Sequence, residues 1–313
     1  RQPAFSASEF SQVRQEYLAS LEEGKTDPQR LAPNSVNRRF APYEKGDVRY
    51  VADFDEQIAD LQNLSLDDVK QFYQEFYGAG KMEVGVVGDV DPQAITQEVR
   101  SLFGDWQSKI PYQRIDTPFI KIEPTRISIA TPDKENAVFI AMTPIKMTKS
   151  NPDYPALLVA NHLMGGGGLD SRLGNRIRNQ EGLSYHVSSQ LSVGEKSDFG
   201  RMTIGAICAP QNAEKVEKAF KEEMIRALQS GFSQAELNNA RQGILENLKM
   251  ARAMDANLAR GLRNNLYFQR NFTETARLEE QIKALTAQQV AEALRRHIAV
   301  EDFTVVLAGD LKK

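Results

Sequence analysis

Apolar positions along the chain fall into blocks that switch between the helical period and the strand period. Helical spacing predicts helices over 8–23 and 28–40. Asp91 followed by Pro92 opens a further helix to Phe103, with Ile95, Val99, Leu102 and Phe103 on one face and Gly104 at its end. Residues 105–124 carry Pro111, Pro118 and Pro124 and predict an irregular linker. Beyond it, short apolar runs predict strands near 125–131, 137–143, 185–193, 199–209 and 303–308, and helices near 153–164, 170–179 and 212–230. In the last helix Val216, Phe220, Met224 and Leu228 recur every four residues, and Gly231 stops it. Ser233 and Glu236 then form a capping box, with Phe232 and Leu237 as its staple, and helical segments continue to about 297. Strands on both sides of a helical block predict an α+β layer fold, with helices packed on one face of a mixed or antiparallel sheet.

The chain also repeats itself. Residues 65–89 and 286–310 read as the same helix–strand unit at a constant offset of 221: Val69 matches Val290, Val86 matches Leu307, and Gly88-Asp89 matches Gly309-Asp310. Ser65 with Asp68 and Thr286 with Gln289 are matching capping pairs. Two homologous domains are therefore expected: residues 1–104, a linker at 105–124, and a complete unit at 125–313. Counting the offset back from the start of the second unit predicts that about 100 residues of the first lie upstream, its early strands among them. What is present of the first unit is helical apart from an expected strand at Met82–Val87.

Composition narrows the function classes. The 313 residues hold 39 Lys+Arg against 42 Asp+Glu, a net charge of -3 with no long basic run, which argues against a binder of nucleic-acid backbones. No apolar stretch approaches the roughly 18 residues of a membrane span. One cysteine, Cys208, excludes an intramolecular disulfide and a thiolate metal cluster, and its strand-face companions Met202, Ile204 and Ala206 make it a small buried hydrophobe. The three histidines, His162, His186 and His297, are scattered, and neither HExxH nor its inverse occurs, so no helical two-histidine zinc site can form from these residues. Gly165 to Gly168 lack the Lys-Ser/Thr of a phosphate loop and join two helices; they permit a sharp turn, with Asp170 or Ser171 capping the helix that follows.

One constellation remains, from Asp170 to Val187. Two readings of it are open. Tyr185 shares its strand parity with Val187, Leu191 and Val193 and reads as a core position, and Arg178 near a helix end reads as an answer to the helix dipole. Yet the glycine-rich turn, Ser171-Arg172-Leu173, Arg178, Gly182-Leu183 and Tyr185 seven residues after Arg178 resemble the pitrilysin/insulinase family of zinc metallopeptidases. The resemblance takes in 58–77, the segment ending in Gly88-Asp89, 91–106 and 125–311.

The resemblance implies the C-terminal portion of a clamshell peptidase. Zinc would be held by an HxxEH helix and a downstream glutamate in the other half, which is either the N-terminal half of the same polypeptide or a paired homologous subunit. In that setting Tyr185 would hydrogen-bond the scissile carbonyl of a peptide substrate, and Arg178 would hold the substrate or position Tyr185. The isolated piece would neither hold zinc nor cleave peptides, and it could self-associate. Periplasmic residence is implied, with the cytoplasm as the alternative. Two rival readings stand beside this one. One is a non-catalytic, peptide-holding subunit of the same fold. The other is a half-size peptidase lacking its zinc motif upstream, with Glu9 or Glu16 as a downstream zinc ligand.

Overall fold

A computed structural model describes residues 1–311. Among the described residues, eleven α-helices and five strands run in the order α1 (Ala7–Gly24), α2 (Pro28–Phe40), α3 (Phe54–Asn63), α4 (Leu66–Phe76), α5 (Pro92–Phe103), β1 (Arg126–Ala130), β2 (Ala137–Lys146), α6 (Tyr154–Asn161), β3 (Ser184–Ser192), β4 (Phe199–Cys208), α7 (Ala213–Ser230), α8 (Gln234–Arg252), α9 (Asp255–Phe268), α10 (Phe272–Ala284), α11 (Ala287–His297) and β5 (Thr304–Gly309). The fold is α+β, as the periodicity predicts.

Packing sorts these elements into two units that interleave along the chain. One unit gathers Arg1–Leu21, Glu56–Asp116 and Asn247–Ala276; the other gathers Glu22–Asp55, Thr117–Glu246 and, of the described residues, 277–311.

The second unit is built on a mixed sheet of order β1-β5-β2-β4-β3. β1 runs parallel to β5, and every other pair is antiparallel. β5 and all but the end of β2 are buried on both faces, as central strands should be, whereas β4 alternates half-buried with buried residues. One face carries α6, α7 and α11. There Phe220 of α7 meets Phe139 of β2 and Phe303 at ring-centroid distances of 5.4 and 5.1 Å, while Val216 and Met224 are buried on the same stripe. Gly231 ends α7 at φ 68°. α11 is tied to the start of α6 through Asp153, which accepts from Arg296 at 2.7 Å and lies 2.9 Å from His297 Nε2. The opposite face is covered in part by α2, whose Ala32, Val36 and Phe40 pack with Ile140, Met142 and Val306. Residues 28–40 thus pack against the sheet of residues that follow the linker segment, a long-range contact that local periodicity cannot reveal.

The first unit shows what the repeat predicts locally and departs from it at longer range. α4 and α11 both begin with complete reciprocal capping boxes, Ser65/Asp68 and Thr286/Gln289. α11 buries Val290, Ala291, Ala293 and Leu294, but α4 and α5 bury no residue fully. The expected strand at Met82–Val87 is corrected: this segment pairs with no strand among the described residues. Its exposure still alternates as a strand's would, with Met82, Val84 and Val86 open and Glu83, Gly85 and Val87 half-buried. A ladder requires a neighbour, and the alternating pattern alone cannot supply one. Residues 105–125 contain neither helix nor strand.

Candidate functional site

The site begins where α6 ends. Asn161, the last residue of α6, forms a reciprocal pair with Ser189 of β3: the Ser189 hydroxyl donates to Asn161 Oδ1 at 2.7 Å, and Asn161 Nδ2 donates to the Ser189 carbonyl at 3.3 Å. The chain then winds through a π-helical turn, His162–Gly166. Such turns recur at functional sites. Gly165 lies against β3 so closely that a Cβ there would stand 2.7 Å from Ser189 Cβ and 2.8 Å from its backbone nitrogen. Only glycine permits that approach.

Ser171 caps the next turn, accepting from the Gly174 N–H at 3.1 Å and donating to the Gly168 carbonyl. This second π-helical turn, Gly174–Gln180, carries Arg178. Two flanking arginines fasten the segment to the helices beneath. Arg172 donates to both carboxylate oxygens of Glu236 on α8, at 2.7 and 3.1 Å, and lies over the Phe232 ring at 4.6 Å. Arg176 donates to Glu222 of α7 at 2.9 Å and also pairs with Glu181. Arg178, between these anchors, is exposed, and its guanidinium has no hydrogen bond or ion pair among the described residues.

Gly182, at φ 60°, turns the chain out of the helical segment, and the Leu183 N–H donates to the Ile177 carbonyl at 2.8 Å. β3 then begins with an irregularity. Ser184 lies opposite Cys208 and His186 opposite Ile207, so Tyr185 is an extra residue with no partner on β4. The bulge overturns the core reading of Tyr185. Strict alternation from Val187 would bury it, but the bulge shifts its parity and leaves it 90% exposed. His186 is likewise exposed.

Arg178 and Tyr185 line one cleft of about 280 Å³, together with Gly165, Gly168 and His186. The structure therefore brings the two sequence-predicted site residues together, on a turn and an edge strand that are fixed from behind by polar pairs. The cleft offers one unpaired cation and one phenol hydroxyl beside a glycine-lined wall, a combination suited to polarising and holding an uncharged or anionic oxygen. Sequence reading did not find Ser184, Asn161 or Ser189. Their signal is weak: a bulge and a buried polar pair depend on partners distant in the chain.

The donors among the described residues do not fit a zinc ion. His162 is half-buried, and burial pushes its imidazole below the ordinary histidine range against the opposing pull of Asp170. His297 is engaged by Asp153, and His186 stands in the cleft with no acidic or thiol companion among its lining residues. Cys208 is buried in the sheet, and burial pushes its thiol up to about 11. Glu9 and Glu16 lie exposed on α1, where Glu16 accepts from Gln12 at 3.0 Å. Among the described residues, no three His, Cys, Asp or Glu side chains are grouped to hold a metal. No helix of the described residues is long and apolar enough to cross a membrane.

Comparison with known proteins agrees with the motif. Residues 63–244 match the family described as the peptidase M16 inactive domain. The non-peptidase homolog YmxG of Helicobacter pylori is 22% identical over all of this chain, which covers 70% of that protein. An uncharacterized zinc protease, YmxG of Bacillus subtilis, is 21% identical over 79% of this chain, which spans only 58% of that relative. Among solved structures, the peptidase M16 inactive domain from Pseudomonas fluorescens superposes with a TM-score of 0.81 at 22% identity, covering 98% of this chain and 71% of that one. The structural likeness carries the fold, and the family match covers more than half of the chain. This chain belongs to the peptidase M16 inactive-domain family.

Proposed function

We propose that the chain is the half of a two-part peptidase that holds no zinc, supplying Tyr185 and Arg178 to an active site completed by a homologous, zinc-bearing half. The observation that carries this reading is the joint exposure of Arg178 and Tyr185 in one cleft, neither serving the core and the cation unpaired. A surface arginine and a bulged tyrosine contribute little to stability where they stand, so a role toward a ligand accounts for their placement better than a packing role. The Tyr185 hydroxyl would donate to the scissile carbonyl oxygen as negative charge develops on it. Arg178 would hold a peptide carbonyl or acidic group and fix the substrate's register. By sequence descent, 1–104 and 125–313 would be two homologous segments joined through 105–124, even though the packed units exchange 22–55 and 247–276 between them; peptide would be the substrate class. Periplasmic residence is part of the proposal, in keeping with the similar Escherichia coli protein described as the periplasmic protease PqqL.

The test uses the full-length protein combined with its zinc-bearing half. Tyr185→Phe is expected to lower kcat by about 10²–10³, the cost of one oxyanion donor. Because the side chain is exposed, the unfolding midpoint should not move. Arg178→Ala is expected to raise KM at least as much as it lowers kcat. A second reading, a peptide-holding subunit without chemistry, is favoured by the name of the Helicobacter relative, a non-peptidase homolog that matches the whole chain. Wild-type turnover by Tyr185→Phe would decide for that second reading.

A further inference from the structure

The bulge that exposes Tyr185 has its own fastening. Ser184, 5% exposed and opposite Cys208, places its hydroxyl 2.8 Å from the His186 carbonyl, 2.5 Å from the Ile207 carbonyl of β4, and 3.1 Å from the His186 backbone nitrogen. One hydroxyl therefore spans the residue that β4 leaves unpaired. It accepts from the N–H that follows Tyr185 and donates to a carbonyl on the facing strand. A bulge disrupts the ladder at its extra residue, and the stranded donors and acceptors need a partner. Ser184 is that partner, joining β3 to β4 through a side chain at the point where the backbone ladder is interrupted.

We infer that Ser184 is a positioning residue, whose hydroxyl locks the bulge and so fixes the direction in which Tyr185 projects into the cleft. The inference rests on the proposed role of Tyr185 for its consequence in turnover, but the lock itself is a property of β3 and β4. Without the hydroxyl, the His186 N–H and the Ile207 carbonyl lose their shared partner. The backbone at Tyr185 is then no longer fastened, so the direction in which its side chain leaves the strand varies, and a donor that must meet an oxyanion loses its preorganisation.

The experiment labels the full-length protein with 3-fluorotyrosine, identifies the Tyr185 fluorine resonance from its absence in Tyr185→Phe, and compares Ser184→Ala with Ser184→Cys, which is slightly larger and donates weakly, both kept under reductant because position 184 faces Cys208. Amide protection at Ile204 and Ala206 on β4 reports that the ladder has folded. In folded Ser184→Ala the Tyr185 resonance should shift or broaden, and amide exchange at His186 should accelerate at least about tenfold with the loss of its acceptor. With the zinc-bearing half present, kcat should fall about tenfold while KM changes less than about threefold, and Ser184→Cys should be affected less. A folded Ser184→Ala with the wild-type resonance and wild-type His186 exchange overturns the inference. So does the failure of both variants to fold, which would make Ser184 a structural residue only. A shifted resonance alongside undiminished turnover in Tyr185→Phe would instead retain the lock and refute the catalytic reading.

Discussion

Neighbouring residues on β3 and β4 meet opposite environments within one register step. Cys208 is buried in the sheet, while Tyr185 stands outside the ladder beside it. The two side chains should therefore differ in chemistry as well as exposure. Burial pushes the Cys208 thiol up to about 11, so at pH 8 only about one molecule in a thousand carries the reactive thiolate. Folded protein treated with iodoacetamide at pH 8 should stay unmodified at Cys208 under conditions that label the urea-unfolded chain completely. Full labelling of the folded protein would contradict the burial of this thiol. Cys208 is legible in the sequence because its companions Met202, Ile204 and Ala206 share an unbroken alternation. Tyr185 is not legible by the same rule, since one inserted residue inverts parity. Only the seven-residue spacing from Arg178 points to it.

At the scale of elements, the start of α8 and the turn that carries Arg178 share one carboxylate. Glu236 accepts from the Ser233 backbone N–H at 2.8 Å and closes the helix cap, while Arg172 donates to it from the far side. The Arg172 guanidinium holds the Glu236 carboxyl down to about 2 from an ordinary 4.5. A depressed folded value means the stabilisation is present above pH 4.5 and is lost as pH falls from 4.5 toward 2. Glu236→Gln should therefore lower the unfolding midpoint at pH 7 and flatten its fall across that acid window. An acid limb identical to wild type would show that the pair contributes nothing. Capping boxes of this kind are readable in advance at Ser65, Ser233 and Thr286, because a cap and its partner lie three residues apart. The π-helical turns, the pairing of Asn161 with Ser189 and the seating of α2 on the sheet are not, because each depends on contacts between distant parts of the chain.

For the whole molecule, the repeat sets an expectation that the described residues satisfy once only. β5 lies between β1 and β2, buried throughout, and the apolar side of α11 is covered. Its counterpart at 82–87 has neither neighbour, and Phe72, Phe76, Tyr77, Val84 and Val86 stand exposed in the same unit. Phe72 and Phe76 stack at 4.8 Å, a contiguous aromatic surface of a kind that soluble monomers seldom leave open. Residues 1–313 alone should therefore self-associate, and Val84→Lys with Phe76→Lys should weaken that association in sedimentation velocity. A monomer at high concentration before substitution would show that the face needs no cover.

Under the proposed function, catalysis would require this chain's cleft and another half's metal. The most direct test titrates the full-length protein into its zinc-bearing half and measures both peptide hydrolysis and bound zinc. Turnover should rise from near zero and saturate at one copy of each. Zinc should be stoichiometric with the other half and absent from this protein purified alone, whose described donors are not grouped to hold it. Full activity of the zinc-bearing half by itself, or one tightly bound zinc per molecule in this chain alone, would refute the two-half function.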